Sequence, residues 1–302
     1  MCVPRLLVPS ITPGLYLLSN GHYHLTVTTA GGGYSWWNAL ALTRWNEDTG
    51  SRGGGLHCYM TEPGHGELRS AVSRPQGQVP RWLPESACER DASFSPGLAV
   101  LGVSALGIDI RTEVLVAPED DVELGRRRIT NQFARRRTLS LTSYAEIVLE
   151  APSADSAHPA FEKLFIESAL IGPAQTLVCS RRPSAPDEAA PSMFHLLVAP
   201  GAFGFTQETD CMRFIGRGRC ADDPKALDGD AALSGTVGTV LDPVMATRYG
   251  DTLYQIEVHR SSGDVPGSKG SIDWDTCPAP AITLGDDRRA DVVCVRLHAK
   301  GA

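Results

Sequence analysis

The sequence predicts an all-β protein, a large antiparallel sandwich with few short helices. Three observations carry that prediction. Runs of alternating apolar and polar residues recur along the chain, as in Arg137 to Val148, where Leu139, Leu141, Ser143 and Ala145 share one face and Thr138, Ser140, Thr142 and Tyr144 the other. The 30 glycines and 21 prolines are spread along 302 residues and fall largely between such runs, as turns do. No long stretch keeps the 3.6-residue period of an amphipathic helix.

Taken in order, His22 to Thr28 alternates and carries the β-formers Tyr23, Leu25 and Val27. Gly31-Gly32-Gly33 then permits a turn, and Trp36 to Leu42 reads as the returning strand. Leu56 to Thr61 and Leu68 to Ser73 flank Pro63-Gly64-His65-Gly66 as a hairpin would. Residues 76–97 read as a Pro-rich surface connection. Ala99 to Ala117 reads as strand, with turns or bulges at Gly102 and Gly107, and Pro118-Glu119-Asp120-Asp121 as a turn before a strand from Val122 to Asn131. Residues 151–161 read as a loop held by Pro152 and Pro159. Lys163 to Leu170, Thr176 to Ser180, Phe194 to Val198, Met212 to Ile215 and Thr236 to Leu241 continue the β pattern, with an exposed loop from Pro183 to Pro191. Residues 261–280 read as a loose connection or tail, and Val292 to Leu297 as a last strand.

Composition removes several functions. A net charge of −7 gives no basic footprint for nucleic acid. The local runs Arg126-Arg127-Arg128 and Arg135-Arg136-Arg137 read as solvated strand ends near a turn, with an anion site as the competing reading. Eight cysteines include no Cys-x-x-Cys pair and no tight Cys/His cluster, so neither a metal nor any other cofactor is expected. Reduced thiols in a bacterial-type cytoplasm are the plain expectation. Leu6-Leu7-Val8 is too short for a secretory or spanning segment.

The best chemical candidate is the segment from Tyr34 to Asp48. Sugars stack on flat aromatic faces while charged groups take their hydroxyls, so Tyr34, Trp36, Trp37, Arg44, Trp45, Glu47 and Asp48 are the candidate carbohydrate contacts. Against this stands the plainer reading that Trp37 and Trp45 are core aromatics and that Arg44 is buried against Glu47 or Asp48. His158 with Asp155 resembles part of an acid–base pair, or is a loop held by Pro159. Arg217 and Arg219, alternating with Gly216 and Gly218, are candidates for an anion site or a domain contact, or are a turn with exposed arginines. No Gly-x-Ser-x-Gly elbow occurs, and Gly31 to Gly33 lacks the spacing of a nucleotide fingerprint. No catalytic residue is assigned.

Four ordered segments carry a family resemblance. The first runs from Leu18-Ser19-Asn20-Gly21-His22-Tyr23 through Ala30-Gly31-Gly32-Gly33-Tyr34-Ser35 to Thr43-Arg44-Trp45-Asn46-Glu47-Asp48. The second is Pro118-Glu119-Asp120-Asp121-Val122-Glu123-Leu124, followed by Arg128-Ile129-Thr130-Asn131. The third is Thr142-Ser143-Tyr144-Ala145-Glu146 with Asp155 and His158-Pro159-Ala160-Phe161-Glu162-Lys163-Leu164-Phe165. The fourth is Glu208-Thr209-Asp210, Arg213 to Arg219, Leu233 to Gly238 and Leu241-Asp242-Pro243. Together they resemble the amino-terminal region of glycoside hydrolase family 94, formerly glycosyltransferase family 36. The phosphorylase-like part of cyclic β-1,2-glucan synthases is the nearest likeness.

That resemblance implies a β-supersandwich similar to the galactose-mutarotase sandwich, followed in the family by a helical linker and a catalytic (α/α)6 barrel. It divides the chain into an extension over 1–14, the β-sandwich domain over 15–248 and a divergent segment over 249–302, read as last strands or tail. About fifty residues cannot hold a barrel of helices, so the barrel and its acid are expected to be absent. The expected partners are a β-glucan or oligosaccharide, and a catalytic barrel domain or partner chain, with a homodimer as a further arrangement. The expected location is cytoplasmic, in a parent synthase associated with the inner membrane. Three functions follow: a non-catalytic domain of a β-glucan-active protein, a free-standing carbohydrate-binding module, or a small mutarotase-type enzyme with a His and a carboxylate facing each other.

Overall fold

A computed structural model describes residues 6–8, 14–29, 31–44, 56–61, 88–132, 137–172, 175–183, 191–199, 204–221, 223–228, 232–249, 256–258 and 289–299. It is all-β with a few short helices, and every strand pairing in it is antiparallel.

The chain opens with β1 (Leu6–Val8) and a small meander, β2 (Leu15–Ser19), β3 (Tyr23–Thr28), β4 (Gly33–Trp37) and β5 (Leu40–Ala41). The β3–β4 turn needs its glycines: Gly31 sits at φ 91°, and a Cβ on Gly33 would lie 2.6 Å from the Thr26 carbonyl oxygen. Next come β6 (Leu56–Thr61), β7 (Cys88–Ser95), β8 (Leu98–Ala105), β9 (Ile108–Val116), β10 (Val122–Asn131) and β11 (Arg137–Glu146). The β8–β9 hairpin turns on Leu106 and Gly107, both at positive φ, the conformation a two-residue turn of right-twisting strands requires.

Helices α1 (Pro152–Ala157) and α2 (Pro159–Glu162) and a 3-10 turn over Lys163–Phe165 lead into β12 (Ile166–Ile171), β13 (Thr176–Arg181), β14 (Ser192–Val198) and β15 (Thr206–Asp210). Then follow α3 (Cys211–Phe214), β16 (Gly238–Thr239), β17 (Pro243–Tyr249), β18 (Ile256–Val258) and β19 (Arg289–Ala299).

The expected large antiparallel supersandwich is corrected by how these strands divide. They form four sheets, not two faces of one closed sandwich. The largest has ten strands in the order β1-β7-β8-β9-β10-β19-β14-β13-β12-β16. The meander β2-β3-β4-β5 is a second. In the third, β11 lies between β6 and β17, and β15 pairs β17. In the fourth, the first residues of β11, Arg137 to Leu139, pair β18. The result is a four-bladed arrangement. Its physical cause is strand length and direction. β5 holds only two residues and reaches the chain beyond β11 through an isolated bridge, Ala41 to Glu150, and β11 changes partner along its length.

Local expectations fared unevenly. The strand expected from Val122 to Asn131 has those bounds in β10. Gly102 lies inside β8 and makes no turn; a Cβ there would sit 1.9 Å from an Asp91 carboxylate oxygen on β7. The surface connection expected up to residue 97 contains β7. Residues 152–157 and 159–162 are helical, with Pro152 and Pro159 in the first turns, where the missing N–H costs nothing. Met212 to Ile215 lies largely in α3, because the Asp210 side chain accepts from the Met212 N–H at 2.9 Å and caps a helical turn. Arg126 to Arg128 are not a strand end: they lie within β10, and Arg127 is buried. The hairpin loop at 63–66, the segment 68–73, Arg135 and Arg136, and the stretch 261–280 lie outside the described residues.

Three apolar cores hold the blades together. Cys58, Met60, Ile108, Ile110, Ile129, Leu139, Leu141 and Leu197 fill the space between the ten-stranded sheet and β6/β11. Leu18, Tyr23, Leu25, Val27, Phe94, Leu177 and Met193 pack the meander on the ten-stranded sheet, with Tyr16 stacked on Phe94 at 5.0 Å. On the other side of β11, Tyr144 stacks on Phe214 of α3 at 4.8 Å.

Candidate functional site

The candidate contacts on the first segment separate into two groups. Strand alternation sends neighbouring residues to opposite faces. Tyr34 and Trp36 therefore lie on the outer face of the meander, and Ser35 and Trp37 point the other way. Trp36 stacks on His24 at 4.8 Å and on Tyr34 at 5.2 Å, so the three rings form one half-buried aromatic row. Trp37 is bound elsewhere: its indole N–H donates to Asp121 Oδ2 at 2.6 Å. Asn20 Nδ2 donates to the Ala117 and Asp120 carbonyls at 3.0 and 2.9 Å. These bonds clamp the Pro118–Asp121 turn onto the meander. Trp45, Glu47 and Asp48 lie outside the described residues.

Arg44 carries the other group. It reaches Asp155 of α1 at 2.8 Å and Glu146 at the end of β11 at 3.4 Å. Beside them Lys163 pairs with Asp242. Asp155 also raises the Tyr34 hydroxyl pKa, behind the larger effect of burial. So Tyr34, Arg44, Glu146, Asp155, Lys163 and Asp242 form one rim. All six belong to the segments that carry the family resemblance. Three carboxylates face two cations there. Burial lifts the Glu146 carboxyl above the usual range, Asp242 and Asp155 add to this, and Lys163 and Arg44 oppose it. The Cys211 thiol is pushed up to about 12, chiefly by burial and then by Asp242 and Glu146, so it stays protonated and unreactive.

The segments that supply the rim also carry exposed apolar side chains. Near the rim in sequence, Phe161, Leu164, Met212 and Leu241 are exposed apolar residues, Leu241 at 80%. Behind the rim, Arg181 is buried between Glu150, at 2.7 Å, and Glu162, and its guanidinium lies 5.1 Å from the Phe165 ring centroid. That anchor fixes α2 and the 3-10 turn, and through them the exposed Phe161.

The other candidates resolve less favourably. Asp155 is engaged by Arg44, and His158 is exposed at the junction of α1 and α2 with no ion pair among the described residues. Arg219 is neutralised by Asp228 at 2.7 Å, with Asp223 at 3.7 Å. Arg217 stays exposed in a turn that requires Gly216: a Cβ there would meet Lys225 Cβ at 2.7 Å.

Sequence reading missed an interior polar layer. Ser143 Oγ lies 2.7 Å from His195 Nε2 and 2.7 Å from Thr247 Oγ1, and all three residues are 0% exposed. A Ser–His pair at that distance resembles a nucleophile and its base. Complete burial denies it a substrate, so it acts as a polar knot between β14 and the β11/β17 pair. Glu123 is likewise buried and accepts from Tyr23 Oη at 3.1 Å and Ser35 Oγ at 2.6 Å. Only the alternation of polar residues on β11 hinted at this layer. Among the described residues no group of three or more His, Cys, Asp and Glu could hold a metal, and no helix is long and apolar enough to cross a membrane.

Residues 10–258 match the family model described as the glycosyl hydrolase 94 supersandwich domain. The chain belongs to that family. It is 34% identical over 234 residues to the cyclic β-(1,2)-glucan synthase NdvB of Rhizobium meliloti (strain 1021). This match covers 77% of the chain and 8% of the synthase, so the chain spans a small part of that relative's length. Among solved structures, a candidate aldose 1-epimerase from Escherichia coli K12 covers 96% of this chain and 100% of its own, at 12% identity and a TM-score of 0.48.

Proposed function

We propose that this chain is a non-catalytic, carbohydrate-associated domain of a β-glucan phosphorylase or cyclic β-1,2-glucan synthase type protein, and that the rim docks it on the catalytic barrel. One observation carries the reading. Segments separated by up to two hundred residues converge on a single ion-paired rim, and the same segments expose Phe161, Met212 and Leu241 at 57%, 52% and 80%. Neutralised charge beside exposed apolar side chains suits a protein contact. The described thiols Cys58, Cys179, Cys211 and Cys220 are free, which favours action in a reducing, cytoplasmic compartment.

The test mixes the purified chain with the separately produced barrel region of its parent protein. The chain alone should release no glucose 1-phosphate from β-1,2-glucan and phosphate. It should bind the barrel region, and Leu241→Asp with Phe161→Asp should weaken that binding at least about tenfold, the scale of losing well-buried contact residues. Phosphorolysis by the chain alone, or binding indifferent to both substitutions, overturns the reading.

A second reading keeps Tyr34, Trp36 and Arg44 as sugar contacts, because Tyr34 adjoins the Asp155–Arg44 pair on the meander's outer face. Titration with β-1,2-gluco-oligosaccharides should then quench tryptophan fluorescence saturably in the wild type and not in Trp36→Ala. Absence of any saturable change removes this second role.

A further inference from the structure

Three buried arginines lie among the described residues: Arg127, Arg181 and Arg248, each 3–4% exposed. Arg181 meets two carboxylates. Arg248 donates from Nε to Thr142 Oγ1 at 2.7 Å and from Nη2 to the Ala226 carbonyl at 2.8 Å. Arg181 Nε is also without a hydrogen-bond partner, but its Nη2 has two carboxylates; Arg127 differs, because its Nε and Nη1 are both buried without a partner and no ion pair accompanies them among the described residues.

Its position makes this costly. Arg127 sits within β10, on the same face as Glu123 and Ile129, and that face is buried. A guanidinium cannot shed its proton. A lysine in this place could become neutral; an arginine needs a counter-charge. Glu123, four residues along the same face, turns its Oε2 to Tyr23 and Ser35. Cys58 senses Arg127, yet burial lifts its thiol above the ordinary value against that pull, so it offers no negative charge. Thr112, the Cα partner of Arg127 on β9, is buried too and brings a neutral hydroxyl to the same face. Among the described residues no carboxylate forms an ion pair with Arg127.

We propose that Arg127 anchors an interior binding site for one small oxyanion: phosphate, sulfate or a small carboxylate. The anion neutralises the guanidinium and accepts from Nε and Nη1, and Thr112 is the neighbouring donor. The site is separate from the docking rim, so it stands or falls independently of the proposed function.

The test is equilibrium dialysis of the full chain against labelled inorganic phosphate, with competition by sulfate and by acetate. Saturable uptake of one anion per chain is expected, and the competitor order distinguishes a phosphate-like from a carboxylate ligand. Arg127→Met should weaken uptake at least about tenfold, the scale of lost charge-assisted bonds. In thermal melts at matched ionic strength, the preferred anion should raise the wild-type Tm above its value in chloride and leave that of Arg127→Met unchanged. Removing an uncompensated buried charge is often harmless to folding, so Arg127→Met should fold. Should it not, the wild-type dialysis still decides. No saturable uptake of any of the three anions overturns the proposal, and so does uptake undiminished in the variant.

Discussion

At the rim, Arg44, Lys163, Glu146, Asp155 and Asp242 keep part of their surface in water, with side chains 15–39% exposed, and five charges share a patchwork of ion pairs. In the interior layer, Glu123, Arg127, Ser143, His195 and Thr247 have almost no access to water, and single hydrogen bonds decide whether each is tolerated. Water covers an imbalance at the rim. Inside, every polar atom must find a protein partner or a ligand. The two regions therefore predict different responses to mutation: small and pH-dependent at the rim, large and local inside.

Arg181 is the sharpest way to break that contrast, because it is buried directly behind the rim. Removing it leaves Glu150 and Glu162 facing each other without their cation. Arg181→Met is expected to cost about 3–5 kcal/mol in urea denaturation, the scale for breaking a buried pair by deleting one partner. A loss no larger than that of an exposed pair would place Arg181 with the rim and remove the distinction.

The clamp between the meander and the Pro118–Asp121 turn is the intermediate case. Trp37→Phe keeps most of the ring and deletes the N–H that donates to Asp121. A hydrogen bond to a charged acceptor is worth about 1.5–3 kcal/mol, and the same denaturation assay should show a loss in that range. A change near zero would mean that water replaces the indole at Asp121, as it would at the rim.

Sequence revealed these regions unequally. The alternation of Leu139 to Ala145 and the turn before Val122 made β11 and β10 legible, because period-two patterning and turn chemistry are local signals. Tyr34 and Arg44 were candidates, yet the partners of Arg44 stand about a hundred residues away, at Glu146 and Asp155, and no local rule connects them. The helices at 152–157, 159–162 and 211–214 are too short to show a period, so their sequence looks like loop and strand. Arg127 looks solvated in sequence because charge usually seeks water. Only the register of β10 against β9 and β19 turns it inward. The division into four sheets was hidden for a similar reason: strand patterning tells which face is buried, not which edge a strand pairs with.

Glu146 gives the smallest effect and the finest test of the rim. Its carboxyl sits above the ordinary range, from burial first and then from Asp242 and Asp155. The folded chain thus holds this proton more tightly than the unfolded chain does. Between the unfolded value and the raised folded one, folding takes up a proton, so stability falls as pH rises through that interval. Glu146→Gln mimics the protonated form at every pH. It should flatten this part of the stability–pH curve and should be no less stable than wild type near neutral pH. The difference should stay below about 1 kcal/mol, because the side chain is 39% exposed and solvent screens it. If Glu146→Gln is instead clearly destabilised at neutral pH, the ion pair with Arg44 outweighs the burial of the carboxyl. The rim's charges would then act as structural ion pairs that hold this end of the fold together.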